Sequence, residues 1–171
     1  AALVVNGDCD MALGGDQGGS IRIPSSYCGA YGLKPTHGLV PYTGIFPIEQ
    51  TLDHVGPMSM SVENVALLLE VIAGKDSLDP RQGEVKTKPY TQSMTGDISG
   101  LKFGIVKEGF GWEEASEEDV DSAVRKAANS FGKMGGQIKE ISIPMHKEGL
   151  PIWTAIGTEG ALAQMILHEG M

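Results

Sequence analysis

The 171-residue sequence predicts an α/β fold, with a mixed or parallel sheet covered by helices. Three observations carry this expectation. Residues 101–144 read as strand, helix and strand with short joints, the pattern of a parallel crossover unit. Residues 61–74, "SVENVALLLEVIAG", repeat apolar side chains at helical spacing behind a serine. The length is that of one large domain, enough to bury a core.

Taken in order, "AALVVNG" reads as the back half of a helix whose cap is missing, since no Ser, Thr, Asp or Asn precedes it. With no initiator methionine at Ala1, the chain is expected to be an internal piece of a longer protein. "DMALGGD" (Asp10–Asp16) reads as a short buried strand running into a glycine-rich turn. "SIRIPSSYCGAYG" is expected to open a helix at Ser20 and to close it by Gly32. "GLKPTHGLVPYTGIFP" is dense in Gly and Pro, hence ordered loop. In the helix after it, Ser61 is the cap, Val62, Val65, Leu68, Leu69 and Ile72 form the apolar stripe, and Gly74 is the stop. Residues 75–100 are polar and turn-rich, a surface connection between two halves. "LKFGIVKE" then reads as a strand. Val120, Val124, Ala127, Phe131 and Met134 mark a helix, "QIKEISIP" a second strand, and residues 150–170 a last helix.

Charge and composition exclude several classes. A formal net charge of −9 argues against direct nucleic-acid binding, which needs basic patches. No apolar run approaches the length of a membrane span, and no signal peptide is visible. Cys9 and Cys28 are too far apart for a C-x-x-C site, and two cysteines cannot complete a metal site without histidine. They read as reduced thiols of a cytoplasmic protein, and no metal is expected.

The segment richest in chemical meaning is "GGDQGGSIRIP", Gly14–Pro24. It lacks the lysine of a P-loop and the spacing of a dinucleotide fingerprint. It also fails the G-x-S-x-G elbow, because Ile21 and Arg22 follow Ser20. What remains is a strand end, main-chain N–H groups at Gln17, Gly18 and Gly19, and a serine at a helix start. Such N–H groups suit an oxyanion hole, and the helix dipole adds its positive end. Asp16 and Arg22 bracket the loop as a carboxylate–guanidinium clamp. From the residues alone Ser20 is either a nucleophile or a helix cap.

A resemblance bears on that choice. "ALGGDQGGSIRIPSSYCGAYGLKPTHGLVPYTG" resembles the signature segment of the amidase signature family of hydrolases. "TLDHVGPMSMSVENVALLLEVIAG" resembles that family's next block, where an Asp-x-x-Gly-Pro turn leads into a helix. "LKFGIVKEGFG" and "PIWTAIGTEGALAQM" are consistent with it, and "GLVPYTG", "FPIEQTLDHVGP" and "DPRQ" resemble its broad-spectrum amidases, the kind associated with nitrile hydratases.

The resemblance implies part of an amidase-signature α/β/α core: residues 1–74 as signature core, 75–100 as connection, and 101–171 as strand–helix–strand–helix unit. It implies hydrolysis of carboxylic acid amides to acid and ammonia by a Ser–cisSer–Lys triad, without cofactor. Ser20 matches the nucleophile, Gln17, Gly18 and Gly19 the oxyanion loop, and Asp16 and Arg22 the residues that support it. The second serine and the lysine are expected upstream of Ala1. Lys34 does not replace that lysine and reads as a loop anchor. The resemblance also places Trp153 near the acyl pocket; Cys28, one or two helical turns past Ser20, is expected as a further neighbour of the site, although core packing is the ordinary role of both. His37 and His54 lie in turn-rich segments with no pattern tying them to Ser20, and His146 and His168 read as surface residues. Asp53 reads as a turn-fixing carboxylate. The expected partner is a small amide, with no nucleic acid and no membrane, in a homodimeric full-length protein. Three alternatives stand beside the amidase: a glutaminase-type subunit of a tRNA-dependent amidotransferase, a non-catalytic binding module on the same scaffold, and a nucleotide-binding α/β domain, which the missing phosphate motifs disfavour.

Overall fold

The computed structural model describes residues 1–113 and 115–167, which fall into two compact units. The first comprises Ala1–Met94 together with the described residues from Trp153 onward. It opens with α1 (Ala2–Asn6), ended by Gly7 in the left-handed region, in line with the expected helix tail. β1 (Met11–Asp16) follows where the sequence places it.

α2 is shorter than expected. It spans Arg22–Cys28 and ends at Gly29 (φ 77°) rather than near Gly32. The left-handed Gly29 donates its N–H back to the helix and turns the chain out, so that Tyr31–Gly32 becomes a strand, β2. β3 (His54–Ser59) has no counterpart in the sequence reading, because Gly56–Pro57 looks like a turn. It nevertheless lies between β1 and β2, antiparallel to both, with Asp16 opposite His54 and Met11 opposite Ser59. Pro57 donates nothing to the ladder, but its carbonyl accepts the Leu33 N–H at 3.0 Å.

α3 (Val62–Ile72) is capped as expected: the Ser61 hydroxyl accepts the Asn64 N–H at 3.0 Å. Its buried face is Val65, Ala66 and Leu69, whereas Val62 is about half exposed and drops out of the stripe. Val40, Tyr42, Val55 and Leu69 form the core of this unit, with Leu39, Ile72, Ala73 and Tyr90 packed against them.

The supposed surface connection is partly internal. Asp79 and Gln82 are buried: Asp79 accepts the Tyr42 N–H, and Gln82 donates to the carbonyls of Gly38 and Gly74. Polarity alone hid this, since a polar side chain is stable inside when its hydrogen bonds are met.

The second unit, Thr95–Ile152, carries the crossover the sequence predicts. β4 (Lys102–Val106), α4 (Glu118–Lys133) and β5 (Gln137–Ile141) follow in order, and β4 pairs parallel with β5 from Lys102↔Gln137 to Val106↔Ile141. Phe103 and Phe131 stack with centroids 4.6 Å apart. Val120, Val124 and Met134 of the expected stripe are about half exposed. The last helix, α5 (Gly149–Leu167), contributes its residues from Trp153 on to the first unit.

Candidate active site

β1 delivers Asp16, with no exposed surface, to the mouth of the Gln17–Ile21 turn. Its carboxylate holds the whole turn. Oδ1 accepts the Gly19 N–H at 2.7 Å and Arg22 Nη2 at 3.0 Å. Oδ2 accepts the N–H groups of Ile21 and Arg22 and, at 3.0 Å, Arg22 Nε. Burial pushes this carboxyl up, but the Arg22 guanidinium and the Ile21 and Gly19 amides outweigh it, leaving Asp16 below its ordinary range.

Asp16 therefore performs the capping that a serine at a helix start would ordinarily do. The N–H groups at the head of α2 go to its carboxylate, and Ser20 is left exposed in the turn. No described residue accepts from or donates to its hydroxyl. The sequence left open whether Ser20 is a cap, and in this structure it is not one.

Each peptide unit of the turn is fixed by one hydrogen bond. The Gln17 carbonyl accepts from Trp153 Nε1 at 2.9 Å. The Gly19 N–H is taken by Asp16, and the Gly19 carbonyl accepts the Ile23 N–H at 2.6 Å. A trans peptide points its carbonyl and its N–H in opposite directions, so fixing one fixes the other. The N–H groups of Gly18 and Ser20, which share planes with the Gln17 and Gly19 carbonyls, are thereby oriented, and neither has an acceptor among the described residues. The expected donor at Gly19 differs, because its N–H already belongs to Asp16.

Two glycines are required by this geometry. A Cβ on Gly18 would lie 2.5 Å from the Trp153 indole. Gly19 has φ 138°, a region open in practice to glycine, and its missing side chain faces Ile23.

Tyr42 is a member of the site that sequence reasoning missed. Its hydroxyl accepts Gln17 Nε2 at 3.0 Å, and no local pattern joins positions 25 residues apart. Burial first, then the Asp53 charge, push the phenol up, so it stays protonated. Across the ladder from Asp16, His54 donates from Nδ1 to the Leu52 carbonyl at 2.7 Å, which leaves Nε2 to accept from Lys34 Nζ at 3.1 Å. Burial pulls this imidazole below its ordinary value, and Lys34 and His37 push the same way against the Leu52 bond. Lys34 also donates to the Pro35 carbonyl, the loop-anchoring role its sequence context suggests. Asp53 fixes a turn as expected, accepting the N–H groups of Ile48 and Glu49.

Trp153 is thus brought onto the loop. Cys28 is not: it closes α2 and lines a groove with Ala2, Leu3, Val5, Asn6 and Asp8, none of them from the turn. His146 is exposed on a 3-10 turn of the second unit, edge-on to Trp112, and His168 lies outside the described residues. Among the described residues no three His, Cys, Asp or Glu side chains form a metal-binding group, and no helix is long and apolar enough to cross a membrane.

Comparison with known proteins identifies the family of the chain. Residues 1–168 match the family model Amidase. An enantioselective amidase of Rhodococcus rhodochrous is 46% identical over 167 residues, 96% of this chain and 32% of that protein. A glutamyl-tRNA(Gln) amidotransferase subunit of Acaryochloris marina (strain MBIC 11017) is 39% identical over all 171 residues, 35% of its own length. The crystal structure of the corresponding glutamyl-tRNA(Gln) amidotransferase subunit from Thermotoga maritima superposes with a TM-score of 0.88 at 31% identity, covering 96% of this chain and 36% of that one. The chain thus spans about a third of the length of these relatives.

Proposed function

The chain belongs to the amidase family, and on that premise we propose that it carries the nucleophile and oxyanion loop of an enzyme hydrolysing carboxylic acid amides to acid and ammonia. One observation carries this reading above the others: Asp16 takes the N–H groups at the head of α2, and the Ser20 hydroxyl is left exposed beside oriented main-chain donors. Ser20 Oγ attacks the amide carbonyl and gives up its proton through a second serine to a neutral lysine, both supplied from outside these 171 residues. The developing oxyanion takes hydrogen bonds from the Gly18 and Ser20 N–H groups, with Gln17 as the outer member of the set. Gly19, Asp16 and Arg22 hold the turn. The amide nitrogen leaves as ammonia with the returned proton, and water releases the acid from Ser20. No cofactor takes part.

The test is Ser20→Ala in the full-length protein, assayed with acetamide, propionamide and benzamide. Turnover should fall by about 10³-fold or more, as loss of a serine nucleophile does. The Asp16 bonds that hold the turn do not involve the Ser20 hydroxyl, so thermal stability should hardly change. Retained turnover overturns the assignment.

The match along the whole chain to amidotransferase subunits favours one second reading, a glutaminase-type subunit that passes ammonia to a partner. Glutamine as the preferred substrate, with simple amides refused, would select it.

A further inference from the structure

We propose that Trp153 is a positioning residue for the oxyanion loop: its indole sets the direction in which the Gly18 N–H points. The proposal rests on the reading of Ser20 as nucleophile and adds a residue 136 positions from Gln17 to the machinery. The indole Nε1–H donates to the Gln17 carbonyl at 2.9 Å. That carbonyl and the Gly18 N–H belong to one planar peptide, so holding the first aims the second the opposite way. The same ring lies on Gly18 itself, where three of its atoms are 2.5–2.7 Å from the place a Cβ would take. One face of the loop is therefore closed by the indole, and the free N–H is left on the other.

Trp153 is itself held in place. Gly157, one turn further along α5, packs against the ring, which lies 3.6 Å from its Cβ position, an ordinary van der Waals distance. Gly160 packs on Glu49, and Gln164 is buried. Positions 153, 157, 160 and 164 lie on one face of a helix, so this face seats α5 with the indole over the loop. Asp16 anchors the loop from the β1 side through the Gly19 N–H, and Trp153 anchors it from α5 through the Gln17 carbonyl. Turning the Gln17–Gly18 peptide over would break the Trp153 hydrogen bond.

A positioning role and a pocket wall differ in what they change. An oriented donor acts on the transition state, so its loss lowers kcat alike for every acyl group. A wall acts on the bound acyl chain, so its loss raises KM, and more for larger acyl groups. In the full-length protein, Trp153→Phe keeps a ring against Gly18 but removes the N–H. It should lower kcat about tenfold on acetamide, propionamide and benzamide alike, with KM within about twofold, because small misplacements of catalytic groups fall on the chemical step. Unchanged kcat, or a loss confined to KM that grows with the acyl group, overturns the proposal.

A second measurement guards against simple misfolding. Gly18→Ala should lower kcat steeply in the wild-type background and much less in a Trp153→Ala background, where no ring meets the new methyl group. Equal losses in both backgrounds overturn the contact. If the wild-type protein turns over no amide at all, the hydrolase reading fails instead. The same cycle read as thermal midpoints then still decides whether Trp153 and Gly18 are coupled, and additive midpoints overturn the proposal.

Discussion

Arg22 grips Asp16 through two parallel hydrogen bonds, Nε to Oδ2 and Nη2 to Oδ1, each 3.0 Å long. The pair is unequal. The Asp16 side chain has no exposed surface, whereas that of Arg22 is 52% exposed. Asp16→Asn should therefore be the damaging change, turning an amide N–H₂ toward donors it cannot accept from. We expect about 2–3 kcal/mol of lost stability in urea unfolding, the scale of leaving buried donors unsatisfied. Arg22→Ala should cost only about 1 kcal/mol, since an exposed guanidinium contributes little and the Gly19 and Ile21 amides still serve the carboxylate.

Gly19→Ala meets two obstacles: φ 138° and the Ile23 side chain where the methyl group would go. It should lose about 2–3 kcal/mol in unfolding experiments, together with amide turnover. Adding Ile23→Ala removes the clash but not the backbone strain, so it should restore only part of the stability. Full recovery in the double variant would show that φ is unimportant here.

Asp79 predicts the behaviour in acid. The Arg81 guanidinium, with Nη2 2.6 Å and Nε 2.8 Å from the carboxylate, holds Asp79 far below the ordinary range despite its burial. Its stabilising contribution is then complete above the unfolded carboxylate value of about 3.9 and is lost as pH falls from there toward the folded value. Thermal midpoints of the wild type should drop steeply below about pH 4, and Asp79→Asn should be less stable at neutral pH with a shallower acid limb. An acid limb as steep in the variant as in the wild type would remove Asp79 from the account.

His54 works in a higher window. Because burial, Lys34 and His37 lower its value in the fold, the unfolded chain binds its proton more readily. Stability from this group is full above about pH 6.5 and declines as pH falls through that value toward the folded one. His54→Asn keeps a donor for the Leu52 carbonyl and cannot titrate, so its midpoint should change less between about pH 8 and about pH 5 than that of the wild type.

Much of the fold was legible because the signals were local. Ser61 followed by α3 obeys capping and 3.6-residue periodicity, and β4–α4–β5 follows the alternation of a crossover. β3 was not legible: a Gly-Pro pair reads as a turn, and only the carbonyls and amides of β1 and β2 on its two sides make it a strand. In the sequence either Gly29 or Gly32 could stop α2, and the left-handed backbone that ends it falls at Gly29. Asp79 and Gln82 looked like surface residues because polarity is visible in a sequence while a satisfied buried hydrogen bond is not.

The candidate site divides in the same way. By itself the sequence determined the family, the glycine loop, the serine behind it and the acid–base pair around it, since all of these lie within a few residues of one another. Only the tertiary structure decided that Asp16 takes the Gly19 amide, that Tyr42 holds the Gln17 side chain, and that Trp153 reaches back across 136 positions to the Gln17 carbonyl. The reason is physical. Propensity and capping act over one turn of chain, whereas the meeting of a distant indole with one peptide depends on the packing of every element between them.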